Sequence, residues 1–405
     1  MSLTYGADAR FSLELDADRV AAAPATPQPN AAFIDELRRA LAHPLDFPPL
    51  EQTLVPGDKV TIAVDRGVPQ AAALVAAVWP VLAKRGIKPQ DVTIIQPAGG
   101  PGETLRDPRA ELPPAARQHV VWKVHDPADT PNCPYLATTA SGERVYLARE
   151  VVEADVVLTI GQIAYDPLVG YRGTNSVFYP GLSTADSIRR SRGMGHSELE
   201  PDDFRPLRQT IDEVGWLLGT QFSIQVIPSA GNGIFQVLAG ACESVLRRGC
   251  AILAEQWLIR LESRPEIVVV AVENNAEGQT WQQVAAAVAA ARSLVAMGGK
   301  VLVLSELDAE LGPGFEMLRR CQSPREALKP LKELDPDDFV EAAQFAHAAD
   351  WANIYLMSKL EPDLVEDLFM IPVESHAEAA RLLSGDESCL FVGSAQFAFG
   401  LIDSK

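Results

Sequence analysis

Short apolar segments alternate with helix-like segments along most of the 405-residue chain, and this alternation most constrains the fold. Residues 60–64, 92–95, 156–160 and 267–272 are continuous apolar runs of strand length. Such runs are typical of parallel strands that are covered on both faces by helices, whereas half-exposed strands alternate polar and apolar residues. We therefore predict an α/β protein with mostly parallel sheets flanked by helices.

A helix break at Ser263-Arg264-Pro265 divides this pattern into two series. We expect a helix over about 240–261 before the break and a buried strand directly after it. A chain of this length is typical of two or three domains. The sequence predicts two, residues 1–262 and residues 263–392, with a cleft between them and the tail 393–405 free to rejoin the first.

Three helix starts in the second series carry capping boxes, in which two side chains satisfy free N–H groups of the first turn. The pairs are Thr280 with Gln283, Ser323 with Glu326, and Ser375 with Glu378.

Charge and cysteine content exclude several classes of protein. The 54 Asp and Glu residues outnumber the 35 Lys and Arg residues, and the net charge of −19 repels nucleic acids and anionic membrane surfaces alike. The five cysteines form no CxxC pair, so neither a disulfide framework nor a zinc knuckle is indicated. With no apolar run long enough for a signal peptide or a membrane span, we expect a cytoplasmic protein.

Compact catalytic motifs are absent from the sequence. No two of the six histidines have the i, i+3 or i, i+4 spacing of a helical metal motif, and no Walker loop, GxSxG elbow or GxGxxG fingerprint occurs. The glycines of residues 98–102, after an apolar run, are the nearest approach to a phosphate cradle. On its own this segment is more typical of a turn.

Two features point to a ligand site. Residues 161–181 form a polar and aromatic loop at the carboxyl end of a predicted strand, where open α/β sheets bind ligands. The second is a group of arginines suited to a carboxylate or phosphate, namely Arg172, Arg189, Arg190 and Arg192. The alternative is that neighbouring acids neutralise them at the surface, namely Glu198, Glu200, Asp202 and Asp203.

Five segments occur in a recognisable order, namely PGDKVTIAVD (56–65), HDPAD (125–129), ATTASGERVYLAREVVEADVVLTIG (137–161), YPGLSTADSI (179–188) and MGGKVLVLSELDAELG (297–312). Their order resembles the lactate racemase family, whose members isomerise 2-hydroxy acids with a nickel-pincer nucleotide, and the resemblance covers nearly the whole chain. It implies a two-domain α/β protein with its cofactor and substrate in the cleft between the domains.

The chain departs from the family at the positions that carry the chemistry. The family's substrate-binding arginine falls on Val68, its two catalytic histidines on Pro101 and Asp166, its cofactor-linking lysine on Ser176, its nickel-ligating histidine on Arg192, and a helix lysine on Ala285. A serine has no amine with which to join the cofactor, and an arginine has no lone pair for nickel. His196, four residues after Arg192, would be a displaced nickel ligand only if the alignment slipped.

The sequence therefore predicts no bound cofactor and leaves the catalytic residues unassigned. Asp65, Trp281 and Gln282 occupy positions where the family has Asp, Tyr and Gln, which predicts that a polar and aromatic pocket is retained. The candidate ligand-binding residues are Asp65, Tyr165, Asp166, Arg172, Asn175, Ser176, Arg192, Trp281 and Gln282.

Three hypotheses follow for function. The first is a lactate-racemase-like protein that has lost nickel-pincer chemistry and binds a small anion, or catalyses a different reaction, in the cleft. The second is an active 2-hydroxy-acid racemase or epimerase that holds the nickel-pincer cofactor without a covalent link. The third is a structural or regulatory protein with no small ligand. A small anionic molecule is the expected partner, and neither nucleic acid nor membrane is expected.

Overall fold

The structure, a computed structural model, describes residues 1–100, 105–166, 168–192, 203–220, 222–274 and 278–403. In these residues the strands are β1 (Ser2–Tyr5), β2 (Ala9–Ser12), β3 (Val20–Ala22), β4 (Val60–Val64), β5 (Val92–Gln96), β6 (Val121–Val124), β7 (Tyr135–Thr138), β8 (Arg144–Tyr146), β9 (Val156–Gln162), β10 (Ala164–Asp166), β11 (Gly170–Arg172), β12 (Phe222–Ser229), β13 (Gly233–Ala241), β14 (Leu258–Leu261), β15 (Ile267–Ala271), β16 (Lys300–Leu304), β17 (Asn353–Met357), β18 (Ile371–Pro372), β19 (Cys389–Val392) and β20 (Phe399–Ile402). The α-helices are α1 (Phe33–Ala42), α2 (Ala71–Lys84), α3 (Pro114–Arg117), α4 (Arg149–Val152), α5 (Ala185–Arg192), α6 (Pro206–Leu218), α7 (Cys242–Trp257), α8 (Trp281–Leu294), α9 (Pro313–Leu318), α10 (Pro324–Leu334), α11 (Phe339–Trp351), α12 (Pro362–Asp367) and α13 (His376–Leu382).

One sheet is built from the first part of the chain, with the strand order β13-β12-β9-β4-β5-β6. Only β13 among these strands runs antiparallel to its neighbour. Every residue of β4 is buried, because the two faces pack on different helices. Ile62 packs in a cluster with residues of α1 and α2, whereas Ala63 on the opposite face packs in a cluster with residues of α6.

A second sheet, with the order β18-β17-β16-β15-β19-β3, is parallel throughout. Its central strand β15 is also buried at every residue. Val268 and Val270 belong to a large cluster with residues of α7, α8 and α11, and Ile267 and Val269 to a cluster on the other face. The predicted α/β class, with mostly parallel sheets flanked by helices, is confirmed.

Strands near both chain termini pair with distant parts of the chain. The division into two domains at residue 262 stays a prediction. Strand β3, near the N-terminus, pairs with β19 of the second sheet. The expectation of a helix through residue 261 was wrong by four residues, because α7 ends at Trp257 and β14 pairs in parallel with β20 from the C-terminal tail. Pairing with a partner about 140 residues away overrides the local helical pattern.

Of the three predicted capping boxes, the one at α8 is confirmed, whereas at α10 and α13 only the serine half forms, because Glu326 and Glu378 accept the N–H groups of Gln322 and Glu374 instead. Thr280 and Gln283 form the reciprocal capping box at the start of α8. The side chains of Ser323 and Ser375 accept the N–H groups of Glu326 and Glu378 at the starts of α10 and α13. Of the helices in the described ranges, none has the length and apolar character needed to span a membrane.

Candidate functional site

A cavity of about 670 Å³ lies where the ends of the first sheet meet helices of the second part of the chain. In the first sheet, β5 and β6 extend to one side of β4, and β9 and β12 extend to the other. The carboxyl ends beside such a switch point form the usual ligand crevice of an open α/β sheet. The opposite wall is formed by the starts of α8, α9 and α11. The cavity is lined by Asp65, Arg66, Pro97, Ala98, Gly99, Gly100, Pro127, Asp166, Leu168, Val169, Arg172, Ser176, Pro180, Gly181, Ile188, Ser191, Arg192, Leu207, Ile211, Thr280, Trp281, Gln282, Gly312, Pro313, Asp337, Asp338, Val340 and Glu341.

Asp65 and Arg172 form the charged pair at the sheet end of the cavity. Asp65 follows β4, and its N–H donates to the carbonyl of Ile160 on β9, which fixes its position. Arg172 is the last residue of the hairpin strand β11. Its Nε lies 4.0 Å from Oδ2 of Asp65. The same Nε is buried without a hydrogen-bond partner in the described residues, while other parts of the side chain reach the cavity.

Asp166 lines the cavity but its carboxylate also holds the hairpin turn. One oxygen, Oδ1, accepts the N–H of Leu168 at 2.8 Å and that of Val169 at 3.4 Å. These hydrogen bonds stabilise the turn between β10 and β11, and they bring Arg172 to the cavity.

Ser176 lines the cavity, whereas its neighbour Asn175 does not. The Oγ atom of Ser176 accepts the N–H of Gly173 at 3.0 Å in a short 3₁₀ turn. Asn175 is buried against α6, where its amide fills the space beside Gly215. Its Oδ1 has no hydrogen-bond partner in the part of the chain that the structure describes.

Tyr165 also lies outside the cavity and contacts the C-terminal tail. Its ring stacks on Phe399 with 4.7 Å between centroids, and its hydroxyl accepts from Arg205 at 3.4 Å. Burial raises the pKa of this hydroxyl, and the positive charge of Arg205 partly opposes the rise. Tyr165 and Asp166 are adjacent in β10, and adjacent strand residues point to opposite faces, so only one of them reaches the cavity.

Arg192 is the member of the α5 arginine group that lines the cavity. Its Nη1 lies 3.4 Å from the carbonyl oxygen of Pro336 and 3.5 Å from Oδ1 of Asp337, in the segment between α10 and α11. Arg189 pairs with Asp186 and Asp335, and Arg190 pairs with Glu143. Of the acids expected to neutralise this group, Glu198, Glu200 and Asp202 lie outside the described residues, as does His196.

Trp281 and Gln282 begin α8 and form part of the second wall. The Trp281 ring packs 4.2 Å from the ring of Phe315, measured between centroids. Its Nε1 donates to the carbonyls of Ala309 and Glu310 at 3.2 and 3.0 Å. These contacts hold the indole in place, so it serves as a fixed aromatic wall.

Four charged residues of the lining were not among the candidates from sequence, namely Arg66, Asp337, Asp338 and Glu341. Asp338 accepts the N–H groups of Gly314 and Phe315 at 2.6 and 3.2 Å and so caps α9. Burial raises the pKa of the Glu341 carboxyl, and the charges of Arg66 and Arg192 oppose the rise. In the sequence, the acidic start of α11 is typical of a solvent-exposed helix end. The one sequence feature that could have pointed to Glu341 is its place in the first turn of this helix.

The arrangement is suited to an oxyanion. Three guanidinium groups face the cavity, and the first turns of α8 and α11 add the positive ends of two helix dipoles. Two of the lining carboxylates already accept backbone hydrogen bonds, since Asp338 caps α9 and Asp166 holds the β10–β11 turn. Glu341 is a lining carboxyl whose pKa burial raises.

The described lining includes no histidine, cysteine or lysine. No group of three or more His, Cys, Asp or Glu residues in the described ranges is arranged to hold a metal ion. The nearby His125 uses Nε2 in a 2.7 Å hydrogen bond with the carbonyl of Ser183. Ala285 is fully buried in the core and Val68 packs against another core cluster, so neither position contributes to the cavity.

Comparisons with known proteins agree on one family. A family model described as the lactate racemase N-terminal domain matches residues 5–199. A lactate racemase from Thermoanaerobacterium thermosaccharolyticum is 22% identical over 374 residues, which cover 87% of this chain and 86% of that protein. The structure of the lactate racemase apoprotein from the same organism superposes with a TM-score of 0.82 at 18% identity, over 99% of both chains. A crystal structure of a Thermotoga maritima protein matches with a TM-score of 0.67 at 13% identity, over 94% of this chain and all of that one. At these identities the two structural matches show the fold alone.

Proposed function

We propose, because the chain belongs to the lactate racemase family, that its cleft is an altered form of the family site that has lost nickel-pincer chemistry and binds a small anionic molecule. The observation that carries the anion part is the guanidinium of Arg172, which lines the cavity and, among the described residues, has an ion-pair partner in Asp65 at 4.0 Å, beyond hydrogen-bond distance.

The donor set of the cavity does not fit the family's nickel-pincer nucleotide. Nickel needs a lone-pair donor such as an imidazole or a thiolate, and the family's covalent link needs an amine. The positions that the resemblance assigns to these roles hold Arg192 and Ser176, which provide neither. No described lining residue replaces them, so no reaction step is derived through this group.

The charged groups that remain favour an oxyanion. Arg172 contacts Asp65 only at 4.0 Å, and Arg192 pairs with Asp337, whose side chain is 78% exposed to water. Exposed ion pairs stabilise a structure little, so a ligand carboxylate can displace Asp337 at small cost. A fork of two donors on each guanidinium suits a carboxylate, sulfate or phosphate.

A thermal-shift experiment tests the proposal. DL-lactate, sulfate and inorganic phosphate are each compared with sodium chloride at equal ionic strength. A ligand that binds only the native state at ten times its Kd adds about 1.4 kcal/mol to the free energy of unfolding. We expect at least one anion to raise the melting temperature of the wild type beyond the chloride control.

Variants locate the binding. Arg192→Ala should weaken the anion affinity about ten- to a hundredfold, the equivalent of about 1.5–3 kcal/mol. Arg38→Ala is the matched control, because Arg38 is 64% exposed on α1 and pairs only with Asp35. If no anion shifts the wild type, the hypothesis of a structural protein without a small ligand is favoured. If Arg192→Ala binds as tightly as Arg38→Ala, the anion does not bind in this cavity.

A further inference from the structure

Glu341 lines the cavity with a titratable carboxyl group, and the proposed anion site gives it no role. It is the third residue of α11, is half-buried, and lines the cavity between the two walls. Its carboxyl forms no ion pair with any lysine or arginine in the described ranges, unlike those of Asp65 and Asp337.

The surroundings of Glu341 are shared with the proposed anion. Arg66, on the turn after β4, and Arg192, at the end of α5, act on it from the first part of the chain, and Asp338 acts on it from the start of its own helix. The other charged groups that line the same cavity are Asp65, Asp166, Arg172 and Asp337. Arg66 and Arg192 are therefore the positive charges that favour the ionised form of the half-buried Glu341.

An anion bound to those arginines changes this balance in two ways. It takes up part of the positive charge that Glu341 faces, and it places a like charge in the same cavity. Both effects favour the neutral form of a carboxyl. Burial already raises the pKa of Glu341 in the ligand-free protein, and a bound anion acts in the same direction.

We propose that Glu341 is a ligand contact of the cleft and that it takes up a proton from solvent when an oxyanion binds beside Arg66 and Arg192. The inference rests on the proposed function, since it requires an anion in the cavity. No covalent bond forms or breaks, and the complex gains one proton on the Glu341 carboxyl. That carboxyl then donates its O–H to an oxygen of the ligand, so the site selects ligands with acceptor oxygens and rejects cations.

Titration calorimetry tests this coupling. DL-lactate and sulfate are titrated into the wild type, Glu341→Gln and Glu333→Gln, in pairs of buffers with different ionisation enthalpies. The difference in measured heat between buffers gives the protons taken up for each anion bound. Lactate is ionised throughout the range from about pH 5.5 to 8, since carboxyl groups of its kind titrate near pH 4. Glu333→Gln is the matched control, because Glu333 is 64% exposed on α10 and pairs only with Lys329.

We expect the wild type and Glu333→Gln to take up as much as one proton per anion, with an affinity that falls up to about tenfold for each pH unit once Glu341 is ionised in the free protein. Glu341→Gln should take up none and bind with an affinity that is flat with pH. Equal proton uptake by the wild type and Glu341→Gln would overturn the role of Glu341 but leave the anion site in place. Anion binding by the wild type without proton uptake would have the same meaning. This second result does not depend on whether any variant folds. If neither probe binds the wild type, the proposed function fails, and this inference fails with it.

Discussion

The Nε atom of Arg172 lies 4.0 Å from Oδ2 of Asp65, close enough for their charges to attract but too far for a hydrogen bond. Asp65 is held at the end of β4 by its hydrogen bond to Ile160, and its Oδ1 accepts the N–H of Arg66 at 2.8 Å. One carboxylate oxygen therefore has a hydrogen-bond partner, whereas the Arg172 side chain lines the cavity and forms no hydrogen bond with the described residues. This difference directs Arg172 towards a ligand.

Replacing Arg172 should weaken anion binding more than replacing a surface arginine. Arg172→Ala removes the charge and leaves Asp65 facing the ligand, so we expect the Kd for DL-lactate or sulfate to rise about ten- to a hundredfold. Arg172→Lys keeps the charge but loses the planar fork, so its Kd should lie between those of the wild type and Arg172→Ala. Calorimetry measures each Kd, with Arg38→Ala as the control. Unchanged affinity in Arg172→Ala would remove this residue from the site.

Asp65→Asn should act in the opposite direction. The change removes a negative charge that competes with the ligand for Arg172 while keeping a side chain of nearly the same shape. We expect the anion to bind about fivefold more tightly, the equivalent of about 1 kcal/mol. The gain should shrink at high salt, because part of the interaction is screened. Weaker binding by this variant would mean that Asp65 contacts the ligand itself.

The packing of Asn175 against Gly215 should be visible in stability. A methyl group on Gly215 would collide with the Asn175 amide, and overpacking of this kind costs about 1–3 kcal/mol. Alanine gains back about 1 kcal/mol in helix α6 through its higher helix propensity. Gly215→Ala should therefore lower the urea midpoint of the wild type. In the Asn175→Ala background, where the amide is gone, the same substitution should raise the midpoint. Additive effects of the two substitutions would show that the contact is loose.

The raised pKa of Glu341 predicts how stability depends on pH in the absence of ligand. A carboxyl whose pKa is raised on folding contributes stability that is fully present below its unfolded pKa, near 4.3, and lost as pH rises through the folded value. Wild-type stability should therefore fall relative to Glu341→Gln as pH increases, with a slope of at most about 1.4 kcal/mol per pH unit. Urea unfolding from about pH 4, close to the unfolded pKa, up to about pH 8 measures this gap. A gap that stays constant with pH would show that burial does not shift this group.

The sequence predicted the fold class and several helix starts, and seven of its nine candidate residues line the cavity. Asp65, Arg172 and Ser176 follow strands or lie in the loop at the switch point, where chain order alone places them at the crevice. Tyr165 could not be placed, because its direction depends on the register of the short β10–β11 hairpin. Strand β14 was hidden for a related reason, since its partner β20 lies at the far end of the chain.

The second wall of the cavity was harder to predict than the first. Trp281 and Gln282 were found because the family resemblance places them in the cleft. Arg66 and Glu341 were not, because a charged residue in a turn or at a helix start is usually solvated. Both are half-buried where the turn after β4 and the start of α11 line the same cavity, a relationship that the sequence does not show.

The central claim, that this cleft has lost nickel-pincer chemistry, is tested most directly by intact-mass spectrometry and nickel analysis of one sample. The protein is expressed in a host that makes the nickel-pincer nucleotide, beside an active lactate racemase as a positive control. We predict the mass of the bare polypeptide and no stoichiometric nickel, because Ser176 and Arg192 stand where the family has its lysine and histidine. A covalent adduct within residues 161–181, or about one nickel per chain with a bare polypeptide mass, would contradict the account and favour an active racemase.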